Sequence, residues 1–435
     1  MIRALALFIL LAALAVAAAW FADNPGAVAV NWRGWRLETS VPVLLAIAAL
    51  LAALGWGLLR AGRAIVGGPR AFLARRSARR QARGARALTL GLNAIAAGDS
   101  RQARRLARQA GALLEGEPLT HLLAAQAAQL SGDDQTAEQH FTALLDDPET
   151  ESLGLRGLIA LARRQGDSAR AAALARQAYE RAPDAPWVAA NYIDLAIEDG
   201  DWDEAAEALA RALKHKVLDG VREAERLASL HLARRAHAED DNQRADELAL
   251  AAHKAAPDFV PAIVAAAEAL ARAGKQRRAA APLAQGWALA PHPDLVAALD
   301  ALWPEMSPAE RLKHIERLTG KQDASFEGLI ARAEAALGAG LWGVARQKLA
   351  AAQAIRVTRH LCALMARLEE ADGTPQAAQD WLRRAAVAAP DAVWQCESCG
   401  RRAAVWSPQC PECGAFSSAR WAVPRDDLML TDQRA

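Results

Sequence analysis

The sequence predicts an all-α protein in three parts, on three observations: a 34-residue period, two long uncharged segments near the N-terminus, and two matched cysteine knuckles near the C-terminus. The period comes first because it covers most of the chain. Gly98, Gly132, Gly166 and Gly200 stand one such period apart, and each is followed five positions later by an alanine: Ala103, Ala137, Ala171 and Ala205. After an insertion around Lys214–Gly220 the phase returns at Asp240/Ala245, Gly274/Ala279, Gly340/Ala345 and Gly373/Ala378. A glycine suits the turn between two helices, where φ > 0 is needed. An alanine one turn later lets two helix backbones approach.

A 34-residue helix-turn-helix period marks the tetratricopeptide (TPR) unit. Pro148, Pro183, Pro257, Pro291 and Pro390 lie half a period past the phase position, where each second helix must stop. One unit, between Gly274 and Gly340, is degenerate; there Ser307-Pro308-Ala309-Glu310 reads as an N-cap and first helical turn. The expected α-solenoid spans 88–392 in eight or nine units. Their apolar faces bury a continuous core, and the inner face lined by first helices is left as a groove for protein partners. Asn191 and Tyr192, before Gly200, are the candidate partner-binding residues, with core packing the alternative for Tyr192.

Composition agrees with packed helices: hydrophobic residues make up 53% of the chain but aromatics only 5%, so alanine and leucine fill the interior. The net charge of +2 selects no partner class. Only seven of the 52 basic residues are lysine, a bias that weakens any argument from arginine clusters alone.

Ala4–Ala22 carries no charge along its whole length, and Val41–Leu59 repeats that length. Either can cross about 30 Å of hydrocarbon as a helix, so residues 1–59 read as a two-span hairpin with a short outer loop, 23–40. A cleaved signal peptide is the alternative for the first segment. Within the loop, VAVNWRGWRLET alternates about Arg33-Gly34 as a small β-hairpin does. Nine arginines, from Arg60 to Arg86, follow the second span before the first acid, Asp99. The positive-inside rule therefore places both termini in the cytoplasm of a bacterial inner-membrane protein. The basic segment 60–87 suits anionic inner-membrane lipids better than nucleic acid.

Cys396-Glu397-Ser398-Cys399-Gly400 and Cys410-Pro411-Glu412-Cys413-Gly414 are paired C-x2-C-G knuckles with ten residues between Cys399 and Cys410. Four thiolates at this spacing make a zinc ribbon over 393–421, followed by a tail, 422–435. Iron is the competing metal, and disulfides would need an oxidising compartment. Four sulfurs leave no open coordination position, so the site is structural. Ligation of haem by the Cys410-Pro411 dipeptide is disfavoured because that cysteine belongs to the set of four. Cys362, in HLCALMARL, reads as a core residue.

No catalytic residue is expected. The nine histidines include no H-x-x-x-H pair, and no P-loop, G-x-S-x-G or G-x-G-x-x-G motif occurs. The acid pairs Asp133-Asp134, Asp146-Asp147 and Asp240-Asp241 read as helix caps.

The two spans around NPGAVAVNWRGWRLETSV, with DDPETESLGLRGLIALARRQGD, APWVAANYIDLAIEDGDWDEA and SPAERLKHIERL, resemble the HemY family of inner-membrane TPR proteins over nearly the whole chain. The resemblance implies a scaffolding or regulatory role in late protohaem synthesis, with haem-pathway enzymes as partners. The same name is used for an unrelated flavin-dependent porphyrinogen oxidase, whose dinucleotide fingerprint is missing here. The tail WQCESCGRRAAVWSPQCPECGAFSSARW departs from HemY proteins that lack the cysteines and is similar to the metal-binding end of lipopolysaccharide assembly protein B. That second resemblance implies the alternative of an adaptor in lipopolysaccharide assembly or membrane proteolysis.

Overall fold

The computed structural model describes residues 26–32, 35–238, 241–320 and 324–424, with a few isolated positions before residue 21. The first expected span, Ala4–Ala22, lies outside the described residues apart from those positions, as do Arg33-Gly34, Asp240 and residues 425–435. The chain divides into two compact units, Met1–Asp147 and Pro148–Ala435.

In the first unit, β1 (Ala27–Trp32) pairs antiparallel with β2 (Trp35–Ser40), Trp32 opposite Trp35, which is the hairpin expected about Arg33-Gly34. Helix α1 (Val41–Ala96) follows directly, with Pro42 in its first turn, and runs unbroken for 56 residues, about 84 Å at the usual rise. Its first part, Val41–Ala61, has a mean hydropathy of 2.3 and buries nothing against the protein. Its last part packs. Ala87 and Ala94 are buried, and a Cβ added at Gly84 or Gly91 would fall 2.4 Å from Leu114 Cγ or 2.7 Å from Leu123 Cδ2. One helix thus joins the apolar span to the first helix pair, running straight through the basic segment. Helices α2 (Ser100–Leu113), α3 (Pro118–Leu130) and α4 (Asp134–Ala143) complete this unit, with a 3₁₀ turn over Leu144–Asp146.

The second unit continues the pairing. Its helices are α5 (Glu151–Gln165), α6 (Ser168–Arg181), α7 (Pro186–Glu198), α8 (Trp202–Lys214), α9 (Val221–His237), α10 (Asn242–Ala255) and α11 (Val260–Arg272). They are followed by α12 (Gln276–Leu289), α13 (Pro293–Leu302), α14 (Pro308–Thr319), α15 (Phe326–Gly338), α16 (Trp342–Ile355), α17 (Arg359–Asp372) and α18 (Pro375–Val387).

The local signals of the period act as their chemistry requires except at Gly373, whose φ of −142° is extended rather than left-handed. Gly98, Gly132, Gly166, Gly200, Gly274 and Gly340 all turn with φ between 68° and 79°, a region that a side chain would strain. The alanines five positions on, Ala103, Ala137, Ala171, Ala205, Ala279 and Ala345, are 0% exposed. Asp99, Asp133, Asp167, Asp201 and Asp241 each accept the N3 amide of the helix they precede, at 2.9–3.1 Å. In the degenerate unit, Ser307 and Glu310 form a reciprocal capping box at the start of α14. Cys362 is fully buried in α17, as expected of a core residue. After α18 the chain forms a three-stranded antiparallel sheet, ordered β4 (Arg402–Ala403), β3 (Val393–Cys396), β5 (Ala419–Ala422).

Candidate metal centre

The two knuckles of the C-terminal ribbon are near copies. In each, the amide of the glycine donates to the first cysteine's carbonyl at 2.9 Å, Gly400 to Cys396 and Gly414 to Cys410. Both glycines are left-handed, at φ +76° and +71°. In each, the glutamine before the first cysteine donates its side-chain amide to the glycine carbonyl, Gln395 to Gly400 at 3.3 Å and Gln409 to Gly414 at 3.1 Å. The repeated unit is therefore Q-C-x2-C-G, one residue longer than its cysteines alone suggest.

Cys396 and Cys410 are buried while Cys399 and Cys413 are exposed. The four Sγ atoms lie within 4.8 Å of one another, with Cys396–Cys413 at 3.8 Å and Cys399–Cys410 at 3.7 Å. Those separations are far too long for a disulfide. They match the edge of about 3.8 Å expected for a tetrahedron of sulfurs about 2.3 Å from a metal. Burial opposes ionisation of Cys396, but the Ser418 hydroxyl, 3.2 Å away, and the Cys399 and Ser398 amides outweigh it and bring its pKa down to about 6. The Cys413 and Glu412 amides lower that of Cys410. Two of the four sulfurs are thus biased towards the thiolate form a metal requires. Four sulfurs close the coordination shell, and the donor set suits zinc and iron alike.

The ribbon docks against helices far away in sequence. Trp394 and Trp421, cross-strand partners in β3 and β5, close over His292, with ring centres 5.3 and 4.3 Å from the imidazole. His292 is 4% exposed and caps α13 by accepting the Asp294 amide on Nδ1. Asp294 in turn accepts the indole N–H of Trp394 at 3.2 Å. Phe416 stacks on Trp202 at the start of α8, and Trp406 meets Phe259, before α11, edge to face at 5.4 Å. Ser229 of α9 donates to the Glu225 carbonyl, so the Ser417 hydroxyl, 3.0 Å away, is the donor to Ser229. Arg420 reaches Glu225 at 3.6 Å, and Arg222 reaches Glu397 at 3.7 Å.

Helices α9, α11 and α13 are first helices of their pairs, so the ribbon sits on the face that the sequence assigns to partners. A cavity of about 660 Å³ opens beside it, floored by Leu232, Val264 and Ala297 and walled by Trp406 and Pro408. Sequence reasoning treats the ribbon as a self-contained end and misses this docking. A signal was available: Trp394, Trp406, Phe416 and Trp421 crowd one short segment of an aromatic-poor chain.

The other candidates lie on α7. Tyr192 is 8% exposed, with its ring stacked 4.4 Å from that of Tyr179. Burial, followed by the hydrogen bond to Glu204, pushes its phenol up to about 12. Asn191 is half-buried and donates to the Trp187 carbonyl at 2.8 Å.

Residues 26–132 match a family described as HemY protein N-terminus, and residues 162–222 match a tetratricopeptide repeat. The chain is 28% identical to the probable magnetosome protein Mms48 of Magnetospirillum gryphiswaldense over 442 residues, covering 99% of this chain and 96% of that one. Among solved structures it is similar to Pseudomonas aeruginosa pilF, with TM-score 0.30 and 16% identity over 52% of this chain and 99% of that one. A tetratricopeptide repeat protein of Parabacteroides merdae gives a TM-score of 0.31 and 11% identity over 70% and 99%. The chain is thus similar to HemY proteins in its N-terminal part and to tetratricopeptide repeats beyond it, and it carries a cysteine cluster able to hold a metal.

Proposed function

We propose that this chain is a membrane-anchored scaffold associated with late haem (protohaem) biosynthesis, and that it captures partner proteins on the first-helix face of its repeats rather than catalysing a reaction. The observation that carries the anchored part of this reading is α1, a 21-residue apolar, exposed stretch continuous with the first packed helix pair, while the haem association rests on the likeness of residues 26–132 to the HemY N-terminus. Such a helix ties the first helix pair of the repeats to a bilayer. With the first apolar segment, Ala4–Ala22, as a second span, the arginines after Leu59 favour both ends in the cytoplasm. A reducing cytoplasm suits four free thiolates, and zinc is the metal assigned to Cys396, Cys399, Cys410 and Cys413. Asn191 is the residue of α7 placed to meet a partner, while Tyr192 supports the helix from the core.

The ribbon favours one second reading, an adaptor in lipopolysaccharide assembly or membrane proteolysis, because its knuckles resemble the tail of such an adaptor. Capture of partners from solubilised membranes separates the two. Ferrochelatase and porphyrinogen oxidase enriched with the chain support the haem reading, whereas a membrane protease in their place supports the adaptor. Asn191→Ala is expected to weaken capture and leave the melting temperature unchanged; full capture by this variant removes α7 from the binding face.

A further inference from the structure

A second cluster of metal-binding side chains lies in the first unit, away from the cysteines. His121, in the first turn of α3, and His140, in the last turn of α4, face each other across that helix pair. Their Nδ1 atoms are 3.1 Å apart and their ring planes are inclined at 50°. Both line a cavity of about 460 Å³ that Asp133, Thr136 and Arg108 also border. In the same helix pair Ala128 and Ala137 are buried, at 2% and 0% exposure.

Two nitrogens bound about 2.0–2.1 Å from one ion lie about 2.9 Å apart at a right angle and about 3.4 Å apart in a tetrahedron. The observed separation falls between these values, but the ring centres, 5.3 Å apart, show the two Nδ1 atoms aimed at each other, so taking up an ion requires both rings to turn towards the cavity. We propose that His121 and His140 form a second metal site, binding a divalent transition metal of the imidazole-preferring class through their two Nδ1 atoms. The remaining coordination positions face the cavity and are open to water or to an anionic co-ligand, which Arg108 at the rim would attract. Without metal, one Nδ1–H donates to the other Nδ1. Binding moves that proton to Nε2 of the same ring and turns both rings until their lone pairs converge on the ion, with no net proton released. Burial, then the neighbouring His121, holds the His140 pKa below the usual histidine value, which keeps this ligand neutral at physiological pH. Nickel, copper and zinc suit imidazole nitrogen, whereas magnesium and calcium do not.

The test uses the full chain in detergent micelles loaded with one molar equivalent of Zn2+, which the four-thiolate site takes in preference to two imidazoles, followed by calorimetric titration with Ni2+. One further saturable site is expected. It should be weakened about ten-fold or more by His121→Ala or His140→Ala, since even second-shell changes cost that much, and absent from the double variant. His140→Gln can keep a hydrogen bond while offering a poor ligand, so unchanged helicity with lost Ni2+ separates ligation from folding. His215→Ala, at an exposed histidine after α8, should bind as the parent does. Absence of saturable Ni2+ uptake by the zinc-loaded parent, or uptake that persists in the double variant, overturns the proposal.

Discussion

Two regions of this molecule are built by internal repetition, and they are held in different ways. The helix pairs repeat with the period of the turn glycines, and each joins its neighbours through apolar contact. Fully buried Ala171, Ala205, Ala279 and Ala345 set how near two helices can lie, and leucines such as Leu209 and Leu283 fill the space between. The cysteine knuckles repeat at a much shorter spacing, from Gln395-Cys396 to Gln409-Cys410, and of their own four cysteines bury only Cys396 and Cys410. Their order comes from four sulfurs and from aromatic side chains set into α8, α9, α11 and α13. A repeat long enough to hold two helices carries the apolar area to need only a neighbour, whereas a single knuckle needs a metal and a surface to rest on.

The sharpest way to break this contrast is Cys396→Ser. Structural zinc in such sites is worth on the order of 10 kcal/mol, so stoichiometric metal should disappear and residues 394–421 should unfold. Helicity should be retained, with Trp394 and Trp421 leaving His292. Metal analysis with tryptophan fluorescence and far-ultraviolet circular dichroism reads all three, and unchanged metal content would sink the claim. Ala205→Trp attacks the other region. Overfilling a closed helix contact costs about 1–3 kcal/mol, so the melting transition should fall while the metal stays bound. A normal melt would mean that the repeat register is wrong.

Acid sharpens the contrast further. Burial, then Arg234, lowers the pKa of His231 in α9 from 6.5 to about 4. The unfolded chain therefore takes up this proton first, so stability is flat above about 6.5 and falls as pH drops from there to about 4. At about 1.36 kcal/mol per pH unit the ceiling is about 3 kcal/mol. His231→Gln should flatten that part of the profile in denaturant melts. A slope identical to the parent's would place the acid sensitivity elsewhere. The smallest effect expected is that of Asp167→Ala, which removes one N-cap and should cost about 1 kcal/mol. A loss restricted to hydrogen-exchange protection in α6 and its neighbours would agree with local coupling. Loss spread evenly through the second unit would show longer-range cooperativity than the repeats imply.

Much of the fold was legible because its signals are local. A left-handed glycine, a capping aspartate and a stop proline act within a few residues of where they stand. The hairpin about Arg33-Gly34, the capping box at Ser307 and the core position of Cys362 were all readable for that reason. The extent of α1 was less so. The helix runs through Gly67-Gly68-Pro69 to Ala96, and Gly84 and Gly91 matter through the leucines they admit rather than through any turn.

The sequence by itself determined the period, its register and the four metal cysteines, since each depends on backbone angles or ligand spacing within one short segment. Only the tertiary structure decided which residues meet across long intervals. It set the ribbon on His292, Phe259 and Trp202, turned Tyr192 onto Tyr179, and brought His121 to His140. Such meetings follow from how successive helix pairs rotate and how a terminal segment finds apolar surface. Those are sums over many weak contacts, and no single spacing in the chain records them.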